Sequence, residues 1–467
     1  MQPGTLVGNL SRATLLEMLA RADSPGVVAT TTLRMLASSD QAALRSSPFL
    51  GSRLTAESGE SWDEGTVLHA LTELSVAVEA SGHGEDHMVT VQNLEPSLAQ
   101  AALVELAVEK GWAEESPDGR AVWVRFDRLD AGWIGSLLQR IKAVFKGRAR
   151  RPAPQTQPDA LPNTCRVALV GDWGTGLYGA PAFRNWAAGR NDLDAVVHLG
   201  DTYYAGTKSE IKKRLKAFWP VPEAANVQTL SRFLNGNHEM YSGGKAYFDL
   251  IRNFPQAVEQ ASSCFAMQND HWLILALDTA WHGFAVEPMM HSGHLDKSQT
   301  KWLIDMVKGC GDRKVVLLSH HQPFHFPHDQ NPELTSRLQA LWDLDRVRFW
   351  FWGHEHYGVR YDRCQFGFEG RCVGHGGMPA TPNDHVRHHA LQTVPIAGTS
   401  CSWRRIESRV AKDSGLRTWV LDGPNPLIDA RRPERFLPHG WVVIELDGPS
   451  LKEEWFLADG EVSVPLP

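Results

Sequence analysis

Residues 165–172 read CRVALVGD and residues 195–201 read AVVHLGD. Both are largely aliphatic runs that stop on Gly-Asp. Runs of this length, without a polar residue at every second position, suit strands buried on both faces, as parallel strands beneath helices are. A helical stretch ending in FRNWAAG (183–189) separates them, so the pair reads as a strand–helix–strand step. Outward from it the rhythm repeats. HWLILALDT (271–279), KVVLLSHH (314–321) and VRFWFWGHEH (347–356) are further apolar runs that end in acids and imidazoles. Strands alternating with helices predict a layered α/β sandwich, with ligands in the loops beyond the carboxyl ends of the strands. GWVVIELDG (440–448) and LKEEWFLADG (451–460) read as an antiparallel pair closing a sheet edge.

The rest of the chain divides around this region. Residues 148–162, RARRPAPQTQPDALP, are rich in proline and polar residues, and a linker is expected over 151–163. The catalytic domain would then span 164–467 and a smaller helical or α+β module 1–150. Within that module Val67, Leu68, Leu71, Leu74 and Val78 recur at helical spacing, and MVTVQNL (88–94) and AVWVRF (121–126) read as strands. A second helix is expected over 98–112, and the order suits a winged-helix-like or other adaptor module. A basic amphipathic helix is expected over 131–151. Trp133, Ile134, Leu137, Leu138, Ile141, Val144 and Phe145 form its apolar stripe, and Arg140, Lys142, Lys146, Arg148, Arg150 and Arg151 its charge. Such a helix packs on its own domain, or binds a protein partner or an anionic membrane surface.

Composition narrows the class. With 467 residues, 42% of them hydrophobic and 22% charged, the chain has material for two or three domains. Its formal charge of −7 argues against nucleic-acid binding as the main business of the chain. No apolar run approaches the roughly 18–20 residues that span a bilayer. The start, MQPGTLVGNLSRATLLEMLARAD, lacks the pattern of a secretion signal, so a cytoplasmic protein with reduced thiols is expected. The six cysteines form no CxxC pair; Cys364 and Cys372 could face each other across a hairpin.

Five clusters stand at the predicted strand ends: GDWG (171–174), GDTYY (200–204), GNHE (236–239), SHH (319–321) and GHEH (353–356). A lone Gly-Asp is usually a turn and a lone histidine usually a hydrogen-bonded structural residue. Five in order are not explained that way. Oxygen donors mixed with imidazoles suit Zn, Mn or Fe, and a pair of such ions activates water for attack on phosphorus.

From about residue 165 to 460 the chain resembles the calcineurin-like metallophosphoesterase superfamily, and more narrowly its purple acid phosphatase branch. Most of the superfamily has Asp-x-His in the first cluster, where this chain has Asp172-Trp173-Gly174. The purple acid phosphatases share the departure and place a tyrosine three residues after the second aspartate, where Tyr204 stands. The resemblance implies that Asp172, Tyr204 and His356 hold one metal, that Asn237, His320 and His354 hold the other, and that Asp201 bridges them. It implies that His238 faces the substrate as phosphate binder or proton donor, and that Glu239 fixes geometry from behind. The resemblance favours His320 over His321 as the ligand, with the other imidazole at the rim or supporting the ligands from behind. His325 and His328 are candidate substrate contacts, equally readable as ordinary loop residues, and His282 is a further histidine with no role assigned. His375 is expected to be structural, and Tyr203 to pack rather than react. A phenolate ligand favours Fe(III) beside a divalent Fe, Zn or Mn, with Mn or Zn at both positions as the alternative. The expected activity is hydrolysis of phosphate monoesters; a phosphodiesterase of cyclic or linear nucleotides, and a scaffold whose catalytic domain has decayed, are the other readings.

Overall fold

The computed structural model describes residues 147–467, apart from 222–228, 255–259, 283–291, 326–328, 331, 408–416 and the last residue, together with isolated N-terminal positions. The chain forms two compact units, Met1–Gly147 and Arg148–Pro467. In the first, Met88–Val91 pairs antiparallel with Ala121–Val124, which also pairs with Glu114–Glu115. The helices expected over 67–78 and 98–112 lie outside the described residues, as does that expected over 131–151 up to residue 146 apart from Ser136, Gln139 and Ala143; residues 147–151 are described and are not helical, so the expected helix does not reach Arg151.

The second unit is built on two sheets. Besides a short antiparallel ribbon of Phe324–His325 with Asp329–Gln330, its strands are β1 (Asp159–Ala160), β2 (Thr164–Val170), β3 (Ala195–His198), β4 (Leu230–Phe233), β5 (Phe265–Gln268), β6 (Trp272–Leu277), β7 (Lys314–Ser319) and β8 (Val347–Trp352). They continue as β9 (Gly358–Arg363), β10 (Glu369–Val373), β11 (Gln392–Pro395), β12 (Ser402–Glu407), β13 (Arg417–Asp422), β14 (Gly440–Asp447), β15 (Ser450–Leu457) and β16 (Val462–Val464). One sheet runs β16-β15-β14-β2-β3-β4 and the other β11-β12-β13-β9-β10-β8-β7-β6-β5-β1. The site-bearing strands β2, β3 and β4 are mutually parallel, as are β6, β7 and β8, so each set delivers its following loops to one end.

Alternation within each strand explains the layers. In β2, Val167 and Leu169 point into a core shared with Ile274, Ala276, Val316 and Leu318 of the other sheet. Ala168 and Val170 point the opposite way, onto Phe183 and Trp186 of the helix Gly179–Ala188. On the far side Leu273, Leu275, Val315 and Leu317 meet Trp302, Leu303 and Val307 of the helix Lys297–Lys308. Both faces of both sheets are therefore covered, giving helix, sheet, sheet, helix. Burial of one such aliphatic side chain contributes about 1.5–3 kcal/mol, which is why the strands carry no polar face. The pair β14–β15 extends the first sheet beyond β2, antiparallel, as expected of the C-terminal hairpin. All six cysteines are free thiols, Cys364 and Cys372 included.

The division between units falls after Gly147, and residues 151–163, expected to be a linker, are bound along the second unit. Asp159–Ala160 pairs in parallel with β5. Asp159 meets the buried Arg232 guanidinium at 2.7 Å, and Arg151 pairs with Asp296 at 2.5 Å. Gln155 donates its backbone N–H to the Cys264 carbonyl and accepts from Trp302 Nε1 at 2.7 Å. Arg148 lies 3.5 Å from the Trp281 ring centroid. Two basic residues of the predicted amphipathic segment are thus engaged within this unit. Backbone pairing and individual side chains hold the segment, not a repeating apolar pattern, so its composition reads as loose while its position is tight.

A fragment beginning at Arg148 keeps these contacts; one beginning at Asn163 loses them and leaves Arg232 buried without Asp159. Stranding one partner of a buried pair costs about 3–5 kcal/mol. The shorter fragment is expected to unfold at a distinctly lower urea concentration than the longer one. Equal midpoints would show that residues 148–162 contribute nothing to the fold.

Candidate metal centre

Each cluster follows the carboxyl end of a parallel strand. Asp172 lies just past β2, Asp201 past β3, Asn237 begins a short helix after β4, His320 directly follows β7, and His354 follows β8. Three of these, Asp172, Asp201 and His354, have positive φ of 55°, 76° and 65°. L-residues rarely adopt this region; it costs on the order of 1–3 kcal/mol and persists where the surroundings over-determine it. Here it turns the chain just past the strand ends, where the side chains converge.

Two glycines set how close the loops come. A Cβ on Gly236 would stand 2.0 Å from Asp201 Oδ1. A Cβ on Gly174 would stand 2.5 Å from the Asp201 carbonyl and 2.7 Å from Thr202 Cα. Gly174 is the position where most of the resembling superfamily has histidine. A side chain there is excluded by the contact between the loops, which form a β-bridge between Gly174 and Thr202.

The side chains converge. Asp172, Asp201 and His320 bring donor atoms within 4.8 Å of one another, as do His320, His321 and His354. His320 Nδ1 donates to the Leu199 carbonyl at 2.9 Å, so in the neutral ring Nε2 is a bare lone pair. That lone pair lies 3.0 Å from Asn237 Oδ1, 3.2 Å from His354 Nδ1 and 3.4 Å from Asp201 Oδ2. His354 Nδ1 is itself 3.1 Å from Asn237 Oδ1. With His354 Nδ1 unprotonated these atoms are all acceptors, and acceptors packed this closely repel unless a proton or a metal cation stands among them. Burial opposes charging His320, but Asp201, with Asp172 and Glu239, outweighs it and lifts the imidazole to about 9. Burial likewise opposes ionisation of Asp201, and His320 and His238 overcome it, holding the carboxyl well below its usual range. The donor set fits a cation.

His356 Nε2 stands 3.4 Å from Asp172 Oδ1, and the His354 N–H donates to Asp172 Oδ2 at 2.7 Å. His238 donates Nδ1–H to the Tyr204 carbonyl at 2.5 Å, which leaves Nε2 toward the site, 3.7 Å from Asp201 Oδ2. Burial lowers the His238 imidazole, with Asp201 opposing. Glu239 Oε2 accepts the N–H groups of Asp201 and Gly236 at 3.1 and 2.7 Å, tying two clusters together. Burial and Asp201 push its carboxyl up to about 7. His321 Nδ1 lies 2.9 Å from Thr279 Oγ1, and its ring sits 4.6 Å from that of His354. The side chain of His325 and the whole of His328 lie outside the described residues. His375 is buried against Trp455, away from the cluster.

The tyrosine differs from expectation. The phenol that reaches the carboxylates is that of Tyr203, whose hydroxyl is 2.8 Å from Asp172 Oδ1, 3.2 Å from Asp201 Oδ2 and 3.1 Å from His356 Nε2. Burial, then Asp172 and Asp201, raise this phenol well above its usual range. Tyr204, expected in that place, has its ring 5.0 Å from the Arg214 guanidinium, and its N–H donates to Glu210 Oε1 at 2.6 Å. Spacing from Asp201 does not determine which of two adjacent side chains turns inward. That is decided by Glu210 and Arg214, which grip the backbone of the pair through the Tyr204 N–H and the Tyr203 carbonyl. Sequence reading also passed over Asp278, which accepts from Asn235 Nδ2 at 3.0 Å and from the Ala280 and Trp281 N–H groups. An acid ending an apolar run, in LALDT, was the signal for it.

Fold and site together define a layered α/β protein with a candidate metal centre at the carboxyl ends of its parallel strands. Residues 165–358 match the model of the calcineurin-like phosphoesterase family. No curated protein sequence matches the chain. Among solved structures, the chain is similar to GAP50, the anchor in the inner membrane complex of Plasmodium, with 11% identity over 65% of this chain and 87% of that one, TM-score 0.41. It is similar to a dimetal phosphatase from Danio rerio, with 13% identity over 44% of this chain and 86% of that one, TM-score 0.34. PhoD aligns with 12% identity over 65% of this chain and 73% of its own, TM-score 0.34.

Gly236→Ala is expected to displace the Asp201 carboxylate while leaving the sheets intact. Bound metal affinity should fall by roughly 10–100-fold, the range seen when the support of a ligand is disturbed, with an unchanged far-UV circular dichroism spectrum. Metal binding equal to wild type would mean that the two loops are looser than the structure shows.

Proposed function

We propose that the second unit hydrolyses phosphate esters, monoesters foremost, at a centre of two metal ions. Asp172 and His356 would hold one ion, Asn237, His320 and His354 the other, and Asp201 both. The crowding of acceptor atoms around His320 Nε2 carries this reading. Carboxylate, amide and imidazole donors together suit Fe, Zn or Mn. Two such ions would supply Lewis acidity toward phosphoryl oxygens and lower the pKa of water toward neutrality.

The chain's own residues supply the rest. His238 is 9% exposed, at the boundary between the buried donors and solvent. Its Nδ1–H is committed to the Tyr204 carbonyl, so Nε2 is the nitrogen that holds a proton for the leaving oxygen. A phosphate dianion arriving beside it favours the protonated form, against the effect of burial. His354, Glu355, His356 and Tyr357 are half-buried and form the neighbouring rim. The iron(III)–phenolate form of the centre, characteristic of the purple acid phosphatases that the sequence resembles, would here use Tyr203 in place of Tyr204.

His238→Ala should retain its metal and lose roughly 10²–10⁴ in turnover on alkyl phosphates, as for a lost general acid. The loss should be smaller on nitrophenyl phosphate, whose leaving group needs no proton. Loss of metal instead would make His238 a ligand. Faster hydrolysis of bis-nitrophenyl phosphate than of nitrophenyl phosphate would replace monoesters by diesters as the substrate class.

The phenol is tested by colour. Iron-loaded protein should absorb visible light by phenolate-to-iron charge transfer, and Tyr203→Phe should abolish the band while Tyr204→Phe keeps it. A band lost only in Tyr204→Phe would return the role to Tyr204; a colourless wild-type protein would remove the iron–phenolate form and leave the phosphoesterase reading standing.

A further inference from the structure

Residues at the very start of the second unit are tied to two loops of the centre. Arg148 stacks 3.5 Å from the Trp281 ring centroid and donates Nη1–H to the Trp281 carbonyl at 2.6 Å. Trp281 Nε1–H donates to the Ala149 carbonyl at 2.9 Å, and the Ala149 N–H to the Gly243 carbonyl at 2.7 Å. Trp281 follows Asp278 and Thr279 on one loop; Gly243 follows the helix Asn237–Tyr241 on the other. The Trp281 ring packs against a small cluster of Ala205, Met240, Tyr241 and Ala280.

Tyr241 is the member of that cluster with a polar group in the centre. Its hydroxyl accepts Asn237 Nδ2–H at 2.9 Å, and its ring lies edge-on to His238 with centroids 4.7 Å apart. The two ends of an amide are alike in shape and opposite in polarity, so hydrogen bonds alone decide which end faces where. With Nδ2 on Tyr241, Oδ1 faces His320 Nε2 and His354 Nδ1 at 3.0 and 3.1 Å. Reversed, the amide would present N–H groups to the place a cation would take.

We propose that Tyr241, backed by Trp281 under the Arg148 guanidinium, is a positioning residue of the centre: its hydroxyl fixes the Asn237 amide with Oδ1 turned to the metal. This rests on the two-metal reading above. Tyr241 touches neither substrate nor metal and acts through Asn237. The clamp explains why the segment before β1 is held so firmly at the site-bearing end of the unit.

The test is a calorimetric titration of metal-depleted full-length chain with Mn(II) or Zn(II). Tyr241→Phe is expected to bind the first equivalent as wild type does and the second about 10–100-fold more weakly, the usual cost of losing a partner that orients a ligand. The melting temperature of the metal-free protein should not change. Arg148→Met should weaken the second equivalent in the same direction and by less. A carboxylate accepts through either oxygen, so in an Asn237→Asp background Tyr241→Phe should have no further effect, a non-additivity that a merely structural role would not produce. A Tyr241→Phe titration equal to wild type, a full deficit persisting with Asn237→Asp, or a matching drop in metal-free stability would each overturn the proposal. Uptake of fewer than two equivalents by wild type would instead overturn the two-metal reading, and the proposal with it.

Discussion

His320 Nε2, Asn237 Oδ1, Asp201 Oδ2 and His354 Nδ1 meet within 3.0 to 3.4 Å of one another in the pairs that define the centre, and none of the oxygens is a donor. With both ring nitrogens unprotonated, such an arrangement is unfavourable in a buried setting unless a proton or a metal cation occupies it, because repulsion between lone pairs is poorly screened there. Much else follows from that requirement. Asp172, Asp201 and His354 hold positive φ to point their side chains inward, and glycine precedes each of them so that the neighbouring loops can close. Glu239 binds the Asp201 and Gly236 N–H groups so that two of the loops move as one.

The sheets make the arrangement affordable. Strands buried on both faces between two helical layers form a rigid frame, and the backbone strain at their ends, a few kcal/mol in all, is small beside that packing. Behind the carboxylates lies a second tier of polar groups. Asp278 ties Asn235 and the turn at Ala280–Trp281, Glu210 ties Tyr204 and Ala205, and Thr279 holds His321. Each is buried, and each accepts or shares hydrogen bonds that would otherwise be missing.

The strands, and where β2, β3, β7 and β8 end in acids and imidazoles, were legible because two physical signals coincide in the sequence. A two-sided buried strand is uniformly apolar, and the change to Asp or His marks where it stops. The C-terminal pair β14–β15 was legible for the same reason. Tyr203 was not, because the choice between adjacent aromatics is made by Glu210 and Arg214, which grip the backbone of a turn and leave no periodic trace. Residues 151–163 read as a linker since a segment held by backbone pairing at Gln155 and Asp159–Ala160, and by the single side chains Asp159 and Arg151, shows no apolar pattern. Tyr241 was missed for a related reason: its role depends on the orientation of one amide, which only the assembled site reveals.

The central claim is that these donors hold two cations with Asp201 between them. Anomalous diffraction from crystals of the Mn- or Zn-loaded chain measures this directly. Two peaks are predicted about 3.5–4 Å apart, one beside Asp172 and His356, the other beside Asn237, His320 and His354, with the Asp201 carboxylate reaching both. A single peak, or peaks away from these residues, would contradict the account.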